Sequence, residues 1–157
     1  MFVLGASDRT KHWGTGRYIS LALRMKKRGH VPVFLLGPSE LDYEREIVAH
    51  GFTVFKNLDF SKIAALFSRT HGARCVVGND TGLMHFACML GAPSVSIIPF
   101  GAHYTWFPYT ADERAQHIAC TPYCAHPMCS QGCPKAVQCV DLIELAAVEE
   151  ATNRVLS

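Results

Sequence analysis

The sequence predicts an α/β domain, a Rossmann-like parallel sheet with helices on both faces. Short apolar runs alternate along the chain with segments of helical period, about 10–15 residues each. The runs are continuously apolar, as parallel strands covered on both faces require, instead of alternating apolar and polar. Glycines at 29, 51 and 72 punctuate the ends of the helical segments. With 157 residues, 49% of them hydrophobic, the chain suits one domain, 1–157, with a real core.

FVLG, Phe2–Gly5, reads as a short buried strand, followed by the polar loop ASDRTKHWGTG. Arg17 to Arg28 places Tyr18, Leu21, Ala22 and Met25 at helical spacing, and Gly29 is its stop. VPVFLLG is the second strand, with Pro32 near its start, where a missing N–H is tolerated. Ser39 opens a helix with Asp42 three residues on, an approximate capping box, and Gly51 closes it. FTVF is a third strand, and Ser61 caps a short helix through Ile63, Leu66 and Phe67 that ends near Gly72. CVVG is a fourth strand, Thr81–Leu90 a helix, and SVSII a fifth strand. An irregular Pro-, Cys- and His-rich stretch, Phe100–Cys139, follows; residues 119–140 read as a Cys-rich loop, and 141–157 as the amphipathic C-terminal helix.

A formal net charge of +2 is too small to suggest a nucleic-acid-binding or membrane-surface protein on its own. No apolar run reaches the length of a bilayer span, and the first residues carry no signal-peptide pattern. The expectation is a soluble, cytoplasmic domain that does not bind nucleic acid.

Polar chemistry concentrates in GNDTGLMHFACMLGAP, Gly78–Pro93, where a buried strand meets a helix. Ligands of such sheets sit outside the carboxyl ends of the strands. Gly78 and Gly82 would let the backbone approach a ligand closely. The unpaired N–H groups of the helix's first turn carry the positive end of the dipole and suit a phosphate. Thr81 adds a hydroxyl, Asp80 can cap the helix, and His85 lies one turn beyond Thr81 on the same face. Leu83, Phe86, Ala87 and Leu90 are expected to turn to the other side, into the core. A second reading fits the same residues: Asp80 as a plain N-cap and His85 as a hydrogen-bonded structural histidine.

The segment GNDTGLMHFACMLGAPSVSIIPFGAHYTWFP resembles the C-terminal signature of glycosyltransferase family 9, the ADP-heptose:lipopolysaccharide heptosyltransferases. FVLGASDRTKHWGTGRYISLALRMKKRGHVPVFLLGPSE is similar to the opening of the same domain in that family. The departures are Leu4, where the family usually has proline, and Gly14-Thr15, which replaces a proline after Trp13.

The resemblance implies the C-terminal half of a GT-B enzyme, whose two Rossmann-like halves face each other across a cleft. It implies that Lys11 contacts the donor's phosphates and Glu40 its ribose, while Asp80, Thr81, Gly82 and His85 surround the diphosphate and donor sugar. The donor implied is an ADP-activated heptose, transferred with inversion to a lipopolysaccharide core or a protein, with peripheral contact to the inner membrane. A lysine and a helix N-terminus can stabilise the departing nucleoside diphosphate without a metal cofactor. Taken alone, Lys11 also reads as a solvated surface lysine, and Glu40 as a first-turn glutamate favoured by the helix dipole. The family's acceptor site and general base, an aspartate, belong to an N-terminal domain. The chain is therefore expected to contain no catalytic base and to need another polypeptide to supply that domain.

Of the seven cysteines, Cys75 and Cys88 lie in apolar segments, where a free thiol packs as a small hydrophobe. Cys120, Cys124, Cys129, Cys133 and Cys139 run as Cys-x3-Cys-x4-Cys-x3-Cys-x5-Cys, with His117 and His126 nearby. Any four of these thiols could converge on a structural zinc or iron. A packed loop of reduced cysteines, or one disulfide, fits as well. The resemblance favours the metal, because members of this family often carry several cysteines here. The loop HYTWFPY, His103–Tyr109, either borders the sugar site or fills space under the Cys-rich segment.

Two classes of function remain at this level. One is the donor-binding half of a heptosyltransferase-like enzyme. The other is a non-catalytic nucleotide-sugar-binding or metal-stabilised module that lacks the acceptor domain and its base.

Overall fold

The computed structural model describes residues 1–6, 11–68, 70–99, 117–121 and 139–157. They form a six-stranded parallel sheet in the order β3-β2-β1-β4-β5-β6. The strands are β1 (Phe2–Val3), β2 (Val33–Leu36), β3 (Thr53–Lys56), β4 (Val76–Asn79), β5 (Ser94–Ile97) and β6 (His117–Cys120). The helices are α1 (Thr15–Lys27), α2 (Glu44–Ala49), α3 (Phe60–Phe67), α4 (Gly82–Met89) and α5 (Leu145–Leu156). Short 3-10 segments at Pro38–Tyr43 and Cys139–Leu142 lead into α2 and α5.

Both faces of the sheet are covered, and the pleat decides which residue goes where. Phe2, Leu4, Phe34, Leu36, Val77, Val95 and Ile97 face α1, α2 and α5, which contribute Tyr18, Leu21, Met25, Ile47, Val148, Ala151 and Val155. Val3, Leu35 and Val76 face the other way, against Ile63 and Phe67 of α3 and Met84 and Ala87 of α4. Arg24 of α1 and Arg28 just past its end clasp Glu149 of α5, pinning the last helix beside the first.

Several local expectations are corrected. The sixth strand, β6, lies within the stretch expected to be irregular; it pairs with β5, Ser94 opposite His117 through Ile97 opposite Cys120. α3 is capped by Asp59, whose carboxylate accepts from the Lys62 N–H at 2.9 Å, and not by Ser61. Ser39 and Asp42 form no capping box. Glu40 instead reaches back to accept from the Gly37 N–H at 3.0 Å, and the backbone winds as a 3-10 turn before α2 begins. The last helix starts at Leu145, after a separate turn. In α4 the buried residues are Met84, Ala87 and Cys88, while Leu90 is exposed and Leu83 and Phe86 are half-buried.

Cys124, Cys129, Cys133, His126 and the loop His103–Tyr109 lie outside the described residues. Cys120 is buried in the core beside Val140 and Ile143, and Cys139 opens the turn before α5. Among the described residues no group of His, Cys, Asp and Glu could hold a metal ion. Nor, among them, is any helix long and apolar enough to cross a membrane.

Candidate functional site

The strand order reverses between β1 and β4. β1 connects through α1 toward β2 and β3, whereas β4 connects through α4 toward β5. The two connections run to opposite sides, and the carboxyl ends of β1 and β4 are where open sheets of this kind place a ligand crevice. The chain leaving β1 carries Lys11, and the chain leaving β4 carries Asp80. Lys11 Nζ bonds Asp80 Oδ2 across this crevice at 2.7 Å. The pair is lopsided: the Asp80 side chain is 3% exposed and that of Lys11 31%. Its carboxylate is thus anchored in protein and its ammonium reaches toward solvent.

Asp80 does not cap α4. The cap position is Thr81, in extended conformation, whose side chain makes no capping bond. Its hydroxyl oxygen is buried and has no hydrogen-bond partner among the described residues. Such an oxygen is costly to bury unpaired and marks a place where a ligand group would be welcome. Gly82 follows at the first helical position, and among the described residues a methyl there would meet nothing within 4 Å. The first turn of α4 therefore presents open backbone N–H groups toward the crevice. Gly78 serves packing and not the site. A methyl there would come within 2.7 Å of Met84 Sδ and 2.9 Å of the Val3 carbonyl oxygen. His85 is half-buried, with Nε2 3.7 Å from Asp80 Oδ1, beyond hydrogen-bond range but within reach of a shared ligand.

Glu40 lies at the turn after β2, next along the sheet edge. It is 6% exposed, and its Oε2 sits beside Gly5, where a methyl would lie 3.6 Å away. His12 and Tyr43 pack ring to ring, 5.2 Å between centroids, and so join the Lys11 loop to the Glu40 segment. Lys11, Asp80, Thr81, Gly82, His85 and Glu40 thus occupy one edge of the sheet.

Two residues at this edge had no role in the reading of the sequence. Asn79, the last residue of β4, is fully buried and receives hydrogen bonds from the Trp13 N–H at 3.1 Å and the Tyr18 hydroxyl at 2.9 Å. Its amide nitrogen donates to the Leu4 carbonyl at 2.8 Å. Trp13 is 1% exposed, and its indole N–H donates to the Ile143 carbonyl at 2.8 Å. The one local signal for Asn79 is an amide ending an apolar strand, a position that needs partners once buried.

The family model of glycosyltransferase family 9 (heptosyltransferase) matches residues 1–135. The chain belongs to glycosyltransferase family 9. Solved structures share the fold of this family 9 chain. A glycosyl transferase family 9 protein from Veillonella parvula matches with a TM-score of 0.82 at 20% identity, over 99% of this chain and 46% of that one. E. coli heptosyltransferase WaaC with ADP matches at 0.74 and 17% identity, over 98% and 43%. E. coli ADP-heptose lps heptosyltransferase II matches at 0.75 and 21% identity, over 99% and 45%. This chain therefore spans less than half the length of each. A comparison with curated proteins finds no match.

Proposed function

We propose that this chain is the donor-binding half of a heptosyltransferase-like enzyme and that its ligand is ADP-heptose. The observation that carries the reading is the Lys11–Asp80 pair spanning the β1/β4 crevice beside the open first turn of α4. The diphosphate would lie on the α4 N-terminus and draw Lys11 toward its oxygens, with the Thr81 hydroxyl as a further donor. The ribose hydroxyls would donate to the buried Glu40 carboxylate. His85 would stand beside the donor sugar. As the sugar leaves, negative charge grows on the diphosphate, where the ammonium and the helix N-terminus are already aimed. The ADP named with one structural neighbour and the ADP-heptose analogue named with another support this choice of donor. The acceptor, a lipopolysaccharide core or a protein, and its general base belong in this reading to a partner half.

Calorimetry comparing ADP with UDP, GDP and CMP tests the proposal. ADP should bind tightest, and Asp80→Ala and Thr81→Ala should each weaken it. Unchanged affinity in both variants would sink the site assignment. In a sugar-transfer assay the chain by itself should turn over no donor, and robust transfer would refute the division of labour. A structural zinc or iron in the Cys-rich segment is proposed as well. Its ligands would be any four of Cys120, Cys124, Cys129, Cys133 and Cys139. Metal analysis of protein purified without chelator, returning a stoichiometry near zero, would remove that idea.

A further inference from the structure

The Lys11 loop follows the two-residue strand β1, and among the described residues Asn79 grips it. The Asn79 Oδ1 accepts from the Trp13 N–H, two residues beyond Lys11, and from the Tyr18 hydroxyl on α1. Its Nδ2 donates to the carbonyls of Leu4 at 2.8 Å and Gly5 at 3.4 Å, where β1 ends. One buried amide therefore ties together the end of β1, the Lys11 loop, the first turns of α1 and the strand that carries Asp80. Two donations and two acceptances need both halves of an amide. A carboxylate of the same shape can only accept, and an apolar side chain would strand the buried Tyr18 hydroxyl and Trp13 N–H.

We propose that Asn79 is a positioning residue for the donor diphosphate: it holds the Lys11 loop so that the ammonium is poised over the α4 N-terminus before ligand arrives. The inference rests on the donor-site reading above. The entropy of ordering the loop is then settled on folding and not on binding, which raises affinity without a contact to ligand. The expected effect of losing Asn79 is confined to the part of the ligand that Lys11 touches.

The test is a double-mutant cycle read by calorimetry with ADP and with adenosine. Asn79→Ala and Tyr18→Phe are each made in the native chain and in Lys11→Met. Asn79→Ala should weaken ADP by roughly tenfold, and Tyr18→Phe by roughly threefold, as coupled neighbours do. Adenosine affinity should not change in either variant, and neither substitution should further weaken ADP once Lys11 is methionine. Equal loss of ADP and adenosine, or equal loss of ADP with and without Lys11, would overturn the inference as a general loss of structure. So would a folded variant with native ADP affinity. Tyr18→Phe keeps the cycle readable if Asn79→Ala does not fold. If the native chain binds no nucleotide, the donor-site reading fails, and the positioning claim is judged without ligand by lysine 15N NMR. The Lys11 ammonium signal should be held in the native chain and broadened by Tyr18→Phe; an unchanged signal overturns it.

Discussion

Removing the cation of the crevice should harm the fold more than removing the anion. In Lys11→Met the Asp80 carboxylate, 3% exposed, loses its partner at 2.7 Å and, among the described residues, keeps only His85 Nε2 at 3.7 Å nearby. Stranding one member of a buried pair costs about 3–5 kcal/mol. The Lys11 side is open enough for water to enter, which puts the expectation at the low end, about 3 kcal/mol. In Asp80→Asn the ammonium that remains is about a third exposed and can be hydrated, so the loss should stay within the exposed-pair range of about 0–1 kcal/mol.

For a chain of this length each kcal/mol moves Tm by about 2–4 °C, so Lys11→Met should melt about 6–12 °C early and Asp80→Asn no more than about 4 °C. Urea unfolding and calorimetry at pH 7 measure the difference. Lys11→Met/Asp80→Asn together should recover part of the loss. If Asp80→Asn proves as destabilising as Lys11→Met, the burial asymmetry does not govern this pair and the reasoning is wrong.

Gly78→Ala would drive a methyl against Met84 Sδ and the Val3 carbonyl, and should cost about 1–3 kcal/mol in urea unfolding with little change in nucleotide affinity. Burial pushes the Cys75 thiol up to about 11 from 9.0. The folded chain then holds a proton that the unfolded chain has released, so stability should fall as pH rises from 9 to 11, by up to about 3 kcal/mol. Melting curves of Cys75→Ala should lack that slope. The Arg24 hydrogen bond, helped by Arg28, lowers the Glu149 pKa from 4.5, so its contribution is present above that value and lost as pH falls through the depressed one. Glu149→Gln should accordingly lower Tm slightly at pH 7, and the gap should close in acid.

Five strands and most helices were legible because their signals are local. A continuous apolar run between helical segments reads as a strand, and Gly29 and Gly51, with φ of 85° and 75°, end helices as their permissive backbone allows. β6 was not legible, since His117–Cys120 is neither long nor periodic, and only the edge of β5 makes it a strand. Caps were misassigned where two polar residues compete. Asp59 and Ser61 both suit the start of α3, and which one reaches a free N–H depends on where the preceding chain leaves β3.

The site divides the same way. By itself the sequence determined a Rossmann-like domain, a polar strand-to-helix turn at GNDTG, and, through its resemblance, the six residues to examine there. Only the tertiary structure decided that Asp80 pairs with Lys11 instead of capping α4, that Gly78 serves packing, and that Asn79 holds the Lys11 loop. Side-chain period is written within a few residues, whereas Lys11 and Asp80 are 69 positions apart and Trp13 and Asn79 are 66. Strand order alone brings them together, because β4 lies beside β1 and not beside β3.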